Sequence, residues 1–145
     1  DFDPVWSPNG KHIVFVRDAD GNLDLFLASR LKDGTWQDEV QLTRLTQHEE
    51  DDLAPAWSPD GDFVAFVSFR DGNGEIYIME SDGSRQLRLT TNGADDLGPV
   101  WSPDGNQMAF VSHLYGPSEI FIMDDDGGNQ RRLTTNDAED HSPDW

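Results

Sequence analysis

Residues 52–61 read Asp-Leu-Ala-Pro-Ala-Trp-Ser-Pro-Asp-Gly, and residues 96–105 repeat them with two changes as Asp-Leu-Gly-Pro-Val-Trp-Ser-Pro-Asp-Gly. The shared opening, Asp-x-x-Pro-x-Trp, also occurs at residues 1–6 and 140–145. The steps between successive openings are 51, 44 and 44 residues, and the two 44-residue units match at 26 of 44 positions. Self-similarity at such a period is typical of repeat architectures, so we predict an array of similar units.

Each unit contains four short strand-like segments separated by turn residues. After the Pro-x-Trp segment comes a Ser-Pro-Asn-Gly or Ser-Pro-Asp-Gly turn, in which Pro and Gly favour the turn dihedrals. The second segment is nearly continuously apolar, which indicates a strand buried on both faces. These second strands are predicted at Ile13–Val16, Phe63–Ser68 and Met108–Ser112, and the third strands at Leu23–Ala28, Glu75–Glu80 and Glu119–Asp124. The fourth segment ends in Arg-Leu-Thr in every unit.

Four strands at a period near 44 residues describe one blade of a β-propeller. We therefore predict an all-β fold of three four-stranded antiparallel blades in a single repeat domain. The predicted blade units are 1–51, 52–95 and 96–139, followed by the start of a fourth unit at 140–145. The first unit is 7 residues longer than the others, and the excess around 31–41 predicts a longer hairpin with Trp36 near its tip.

The repeated phrases carry a family resemblance. Pro-Ala-Trp-Ser-Pro-Asp-Gly, Ala-Phe-Val-Ser, Gly-x-Gly-Glu-Ile-Tyr-Ile-Met and Arg-Leu-Thr together resemble the TolB-like β-propeller repeat over essentially all 145 residues. The Gly-His and Trp-Asp signatures of WD repeats do not occur at the expected positions. The resemblance implies a six-bladed propeller, a periplasmic or extracellular location, and a recognition module that binds other proteins.

Three blades leave two open faces, because natural propellers typically have 4–8 blades. An open blade exposes unpaired backbone groups and an apolar surface, so something must cover it. Three arrangements are open: a homodimer that completes six blades, an open head-to-tail polymer forming a tube or fibre, or half of a longer natural chain. Of these, we expect the three blades to be half of a six-bladed propeller that self-association completes.

Composition excludes several classes of function. The chain has 10 Lys and Arg against 29 Asp and Glu, a formal charge of −19, which argues against nucleic acid as a main partner. No apolar run approaches the roughly 20 residues of a membrane span, so we expect no membrane insertion. Cysteine is absent, which excludes disulfides, thiolate zinc sites and a cysteine nucleophile.

Carboxylates cluster before each predicted first strand. In a propeller these residues lead into the innermost strand, so their repetition would place a ring of acids at one mouth of the central channel. Such a ring repels itself unless cations occupy it, and Ca²⁺ suits an oxygen-rich site. The predicted ligands are Asp1, Asp52, Asp96 and Asp140. The alternative is a solvated acidic rim that attracts a basic protein segment.

Other repeated residues predict structural roles. The acid that opens each third strand, Asp24, Glu75 or Glu119, lies where a cross-strand ion pair with the Arg of Arg-Leu-Thr is expected. The tryptophans at blade period are expected to pack between blades, whereas Trp36 in the insertion is a candidate for stacking on a sugar.

Catalysis is poorly supported. Neither a Gly-x-Ser-x-Gly elbow nor a His-Glu-x-x-His motif is present, and the four histidines occupy no common repeat position. We therefore predict a non-enzymatic binding or scaffolding module, with a structural tube or fibre subunit as the alternative.

Overall fold

The computed structural model describes residues 1–30, 41–136 and 138–145. Most of the predicted insertion, including Trp36, lies outside these residues. Within them every regular element is a β-strand, so the described part contains no helix that could cross a membrane.

The described residues form three four-stranded antiparallel sheets, each built from four consecutive strands. The first sheet contains β1 (Phe2–Trp6), β2 (His12–Ala19), β3 (Asn22–Ser29) and β4 (Gln41–Arg44). The second contains β5 (Asp52–Trp57), β6 (Phe63–Ser68), β7 (Glu75–Glu80) and β8 (Leu87–Arg88). The third contains β9 (Asp96–Trp101), β10 (Gln107–Ser112), β11 (Glu119–Asp124) and β12 (Arg131–Arg132). The all-β prediction and the three blades are confirmed.

The first strand of each blade begins earlier than the predicted Pro-x-Trp segment. It starts at the acidic residue itself in β5 and β9, because a β-bulge lets the strand continue past the proline. In β5 the bulge lies between Leu53 and Ala56, where the register to β6 shifts. A bulge leaves one residue out of the ladder and increases the local twist. Sequence periodicity alone does not predict this irregularity.

Apolar side chains fill the space between successive blades. Between the first two blades, Val14, Val16 and Leu25 pack with Phe66 and Met79, all fully buried. A corresponding layer lies between the second and third blades, made by Val67, Ile76, Met108, Phe110 and Met123. Side chains such as these contribute about 1.5–3 kcal/mol each when fully buried. Stacking therefore stabilises each sheet through its neighbour.

The repeated tryptophans connect adjacent blades, as predicted. The indole Nε1 of Trp57 donates to the carbonyl of Val5 at 3.3 Å, and that of Trp101 donates to the carbonyl of Ala56 at 3.1 Å. Trp145 makes the same contact with Val100, at 3.2 Å. Each tryptophan thus reaches back to the first strand of the preceding blade, which fixes the spacing between blades.

A second contact joins the blades at the far ends of the sheets. The Nε2 of Gln86 donates to the carbonyl of Leu45 at 3.1 Å, and Gln130 donates to Leu89 at the same distance. Three residues earlier, Gly83 and Gly127 approach these leucines so closely that an added Cβ would lie 2.9 Å from the leucine carbonyl oxygen. Only glycine fits between the blades at these positions.

Gly127→Ala should therefore destabilise the protein more than Gly72→Ala. Both glycines have positive φ, +84° and +95°, so alanine is strained at either position by about 1–2 kcal/mol. At Gly72 an added Cβ meets open space, whereas at Gly127 it collides with the backbone of Leu89. Urea unfolding should show an additional loss of about 1 kcal/mol or more for Gly127→Ala. Equal losses would mean that the blade contact tolerates the extra atom.

Candidate functional site

The first strands of the three blades lie side by side and form a concave groove of about 700 Å³. Residues from β1, β5 and β9 line it together with the segment His141–Pro143. The lining is predominantly apolar, and it includes Val5, Leu97, Val100 and Val111. The innermost strands therefore present a surface suited to apolar groups, rather than a wall of carboxylates.

The β-bulges lie within this groove. Each is marked by a residue with positive φ directly before a proline, namely Asp3 (49°), Ala54 (50°) and Gly98 (59°), and Ser142 (52°) takes the same conformation before Pro143. Three of these are not glycine, so the backbone is held in a sparsely populated conformation at about 1–3 kcal/mol each. Such strain clusters at functional surfaces. The sequence feature that marks this backbone conformation is the proline that recurs in every Asp-x-x-Pro-x-Trp motif. The sequence analysis used this proline only to define the repeat and its first strand.

Two of the predicted calcium ligands are held by arginines of their own blades. Asp1 accepts two hydrogen bonds from the Arg17 guanidinium, at 2.6 and 2.7 Å, on the surface. Asp52 is fully buried, and Nη2 of Arg70 lies 3.1 Å from both of its carboxylate oxygens. Arg70 also stacks over the ring of Tyr77, 4.7 Å from its centroid. These two carboxylates are therefore neutralised without a metal ion.

The other two predicted ligands have neutral partners. Asp96 is fully buried and accepts a hydrogen bond from Asn92 Nδ2 at 2.5 Å, and Asp140 accepts one from Asn136 Nδ2 at 2.8 Å. The parts of the chain that the structure describes contain no group of three or more His, Asp or Glu placed to hold a metal ion. The structure therefore does not bring the four carboxylates together, and the calcium site stays a prediction.

The predicted cross-strand ion pairs are present in all three blades. Arg88 pairs with Tyr77 in register and reaches the diagonal Glu75, with Nη2 2.6 Å from Oε1. Arg44 binds Asp24 in the same way at 2.6 Å, and Arg132 binds Glu119. The three acids are buried almost completely, so each arginine neutralises a charge that water does not reach.

The threonine of Arg-Leu-Thr supports each ion pair by a hydrogen bond to its carboxylate. The sequence analysis did not predict this contact. Thr90 Oγ1 donates to Glu75 Oε2 at 2.5 Å and accepts the backbone N–H of Ile76 at 2.8 Å. Thr134 repeats the arrangement with Glu119 and Ile120. The invariance of Thr in all three units was the available signal.

Burial raises the pKa of Tyr77 to about 12, and its hydrogen bond to the Asp71 carboxylate adds to the effect. Tyr77 therefore remains a neutral donor at physiological pH and belongs to the structural network. Two histidines line the groove, His113 and His141, and the latter lies 3.5 Å from Glu139.

Residues 2–145 of the chain match the family model of the TolB beta propeller domain. The chain belongs to this family. A protein TolB homolog of Chlorobium luteolum is 36% identical over 78 residues, which cover 54% of this chain and 16% of that protein. A Tol-Pal system protein TolB of Thioalkalivibrio sulfidiphilus is 50% identical over 34 residues, covering 23% and 8%. The chain thus spans less than a fifth of these curated relatives.

Solved TolB structures share the arrangement of blades. A putative TolB of Agrobacterium tumefaciens matches with a TM-score of 0.76 and 32% identity over 89% of this chain and 47% of that chain. TolB of Acinetobacter baumannii matches with a TM-score of 0.76 and 29% identity over 95% and 33%. Puromycin hydrolase, at 20% identity, and the tricorn protease, at 15%, have TM-scores of 0.74 and 0.65. At these identities the peptidases show the shared fold alone.

Replacing Arg88 by leucine should strongly destabilise the TolB-like blade. Glu75 would then keep its burial but lose its cation, and breaking a buried pair from one side costs about 3–5 kcal/mol. Arg85→Leu is the matched control, because Arg85 is 79% exposed and pairs with Glu80 at the surface. Urea unfolding at neutral pH measures both variants. Similar stabilities for the two would mean that Glu75 is solvated or neutral in the folded protein.

Proposed function

We propose that this chain is a non-enzymatic TolB-like propeller module that binds a protein partner in its concave groove, outside the cytoplasm. The observation that carries the proposal is the groove itself, an apolar concavity built from the first strands of all three blades. Protein-binding sites are concave or flat surfaces with an apolar centre and a polar rim. The curated relatives that are named as Tol-Pal system proteins support a role in a protein assembly.

The charge distribution favours a basic partner segment. Four of the ten cationic side chains, Arg44, Arg70, Arg88 and Arg132, are committed to internal carboxylates. Acids at the groove side remain outside these pairs, among them Asp3 and Glu139, which are exposed. A negative surface steers a positively charged segment to the site and makes the association rate dependent on salt. The partner is expected to combine apolar residues for the groove with Lys or Arg at its flanks.

Gly98→Asn tests the groove directly. Gly98 has positive φ, which asparagine tolerates, and an added Cβ meets open space, so the variant should fold. Its amide would place a polar group against the apolar lining and weaken the binding of a segment by about 1–3 kcal/mol, or roughly 5-fold to 150-fold in affinity. Peptides selected by display on the full chain should carry basic and apolar residues and lose affinity for this variant.

Gly72→Asn is the matched control, since Gly72 also has positive φ and open space but lies outside the groove. It should bind the selected peptides like the parent protein. Peptides that bind both variants equally would place the binding surface elsewhere and contradict the proposal. Hydrolysis of the peptides during the assay would contradict its non-enzymatic part.

We further propose that the outer face of the third blade is covered by self-association, with a closed six-bladed homodimer favoured over a tube or fibre. Leu133 occupies the position of Leu45, which the next blade buries to 6%, yet Leu133 is 54% exposed.

One contact restricts this assembly. Trp145 already donates to the Val100 carbonyl, which is where the tryptophan of a following blade belongs. A second chain that docks in the same way would bring its own Trp6 to that place. The dimer therefore requires either Asp140–Trp145 or the partner's first strand to move aside.

Light scattering on a sizing column tests the self-association, and a mass of twice 16.3 kDa is expected. Leu133→Glu should return the mass to that of a monomer, because it buries a charge in the interface. Leu87→Glu, at a leucine 62% exposed on β8, should not. Chelator should dissociate the assembly only if the predicted Ca²⁺ ligands Asp1, Asp52, Asp96 and Asp140 act in it. A monomer in every buffer would overturn the self-association, and a heterogeneous large mass would favour the fibre.

A further inference from the structure

The junction between the second and third blades contains an apolar contact that the far side of the third blade replaces with polar residues. Phe69, Gly74 and Leu97 meet at the junction, because an added Cβ on Gly74 would lie 2.8 Å from the Leu97 side chain and 3.3 Å from the Phe69 ring. The residues 44 positions later in the repeat are His113, Ser118 and His141. The three polar residues thus occur together, at the positions of one contact.

The backbone is the same at the two places. The N–H of Asp96 donates to the carbonyl of Gly74 at 2.8 Å, and the N–H of Asp140 donates to the carbonyl of Ser118 at the same distance. The amide that opens the preceding turn also repeats its backbone hydrogen bond, at 3.0 Å in both blades. The polar residues therefore change the chemistry of this place while the backbone around it is kept.

The imidazole of His113 is oriented by the backbone and lines the groove. Its Nδ1 lies 3.3 Å from the carbonyl oxygen of Asp95. A carbonyl oxygen only accepts hydrogen bonds, so the neutral ring carries its proton on Nδ1 and keeps the lone pair of Nε2 as an acceptor. Among the residues that the structure describes, this Nε2 has no hydrogen-bond partner.

The second groove histidine, His141, connects the groove to an exposed carboxylate. Its Nδ1 lies 3.4 Å from Oγ of Ser118, and its Nε2 lies 3.5 Å from Oε2 of Glu139. When the serine hydroxyl donates to Nδ1, the proton of the neutral ring is on Nε2 and is directed at the carboxylate. His141 thereby holds Glu139 beside the groove, although the Glu139 side chain remains 72% exposed.

The groove itself supplies no cation to these acceptors. Among its described lining residues are Asp3 and the two histidines, but no Lys or Arg. Arg132 of the third blade is bound to the buried Glu119 instead. A carboxylate beside a ring acceptor favours a positively charged donor, because hydrogen bonds to charged groups are stronger than those between neutral groups.

We propose that His113, His141 and Glu139 form a polar subsite on the third-blade side of the groove, which receives the ammonium or guanidinium group of one Lys or Arg from the bound segment. Nε2 of His113 and the Glu139 carboxylate accept its hydrogen bonds, and His141 positions the carboxylate. The alkyl part of the Lys or Arg side chain packs on the apolar lining. This inference rests on the proposed function, since it names the residues of the groove that select the partner.

Two variants restore the apolar contact of the second blade. His113→Phe and His141→Leu install the residues that the second blade carries at these positions, so both should fold, and neither changes the formal charge. Peptides selected by display on the full chain are measured in pairs, with one Lys or Arg and with norleucine in its place. The parent protein should bind the cationic form roughly tenfold or more tightly. Each variant should bind the two forms almost equally.

Two further variants separate the roles of charge and of the turn. Glu139→Gln removes the carboxylate and keeps the shape of the side chain, so it should also lose most of the preference for the cationic form. Leu114→Gln is the matched control, because Leu114 follows His113 in the same turn, is 41% exposed and lies outside the groove lining. It should keep the preference of the parent protein. Urea unfolding of every variant checks that a change in binding does not reflect a loss of folding.

Nitrogen NMR of the histidine rings gives a readout that needs no variant. In the free protein, His113 should carry its proton on Nδ1, and its Nε2 resonance should shift when the cationic peptide is added. The norleucine peptide should leave that resonance almost unchanged. The rings of His12 and His48, which lie outside the groove lining, serve as internal controls.

The outcomes distinguish this subsite from the proposed function. If Gly98→Asn weakens the binding of the peptides while the two histidine variants keep the preference for the cationic form, the groove binds its partner and the subsite is wrong. If Gly98→Asn has no effect either, the groove is not the binding surface and both proposals fail. Selected peptides without Lys or Arg, or a proton on Nε2 of His113 in the free protein, would also overturn the subsite.

Discussion

Burial of sheet faces between neighbouring blades is the constraint on which this structure depends. A single four-stranded sheet with a second strand such as Phe63–Ser68 is apolar on both faces, so it is not stable alone in water. The layers around Phe66 and Phe110 solve this problem at the two inner junctions. The Trp indoles and the Gln–Leu contacts then fix the separation and angle of the blades. Groove, open faces and carboxylate sites all result from this stacking.

The same stacking removes some of the acidic side chains from the surface. A formal charge of −19 suggests a uniformly acidic surface, but Asp24, Glu75 and Glu119 are buried, and each is paired with an arginine. Each repeat thus carries an internal ion pair that a threonine hydroxyl supports. Because these pairs use arginines, the solvent-facing remainder keeps an excess of acid. The attraction that we propose for a basic partner therefore comes from the acidic side chains that remain exposed outside the core.

Much of the architecture could be predicted because its signals repeat. The period, the turn residues and the apolar second strands predicted three four-stranded blades, and the spacing of Glu75 and Arg88 predicted their ion pair. The role of Thr90 and the bulge at Ala54 were not predicted. The linear sequence shows neither which groups a threonine hydroxyl contacts nor that a strand bulges at the residue before a proline. Sequence reasoning expected Asp1, Asp52, Asp96 and Asp140 to form one ring; in the described residues two of them bind arginines and two bind asparagines, and the calcium site stays a prediction.

The sequence by itself determined the repeat, the strand order within each blade and the family, because these depend on local spacing and turn chemistry. Only the tertiary structure decided where the acids lie, since burial depends on contacts between blades. Asp52 and Asp96 are the same residue in the same repeated phrase, yet Asp52 meets the guanidinium of Arg70, whereas the third blade carries Leu114 at that repeat position. Arg70 is 18 residues from Asp52 in the chain and in contact with it in space. Its effect on a buried charge therefore becomes visible only when the sheet is assembled.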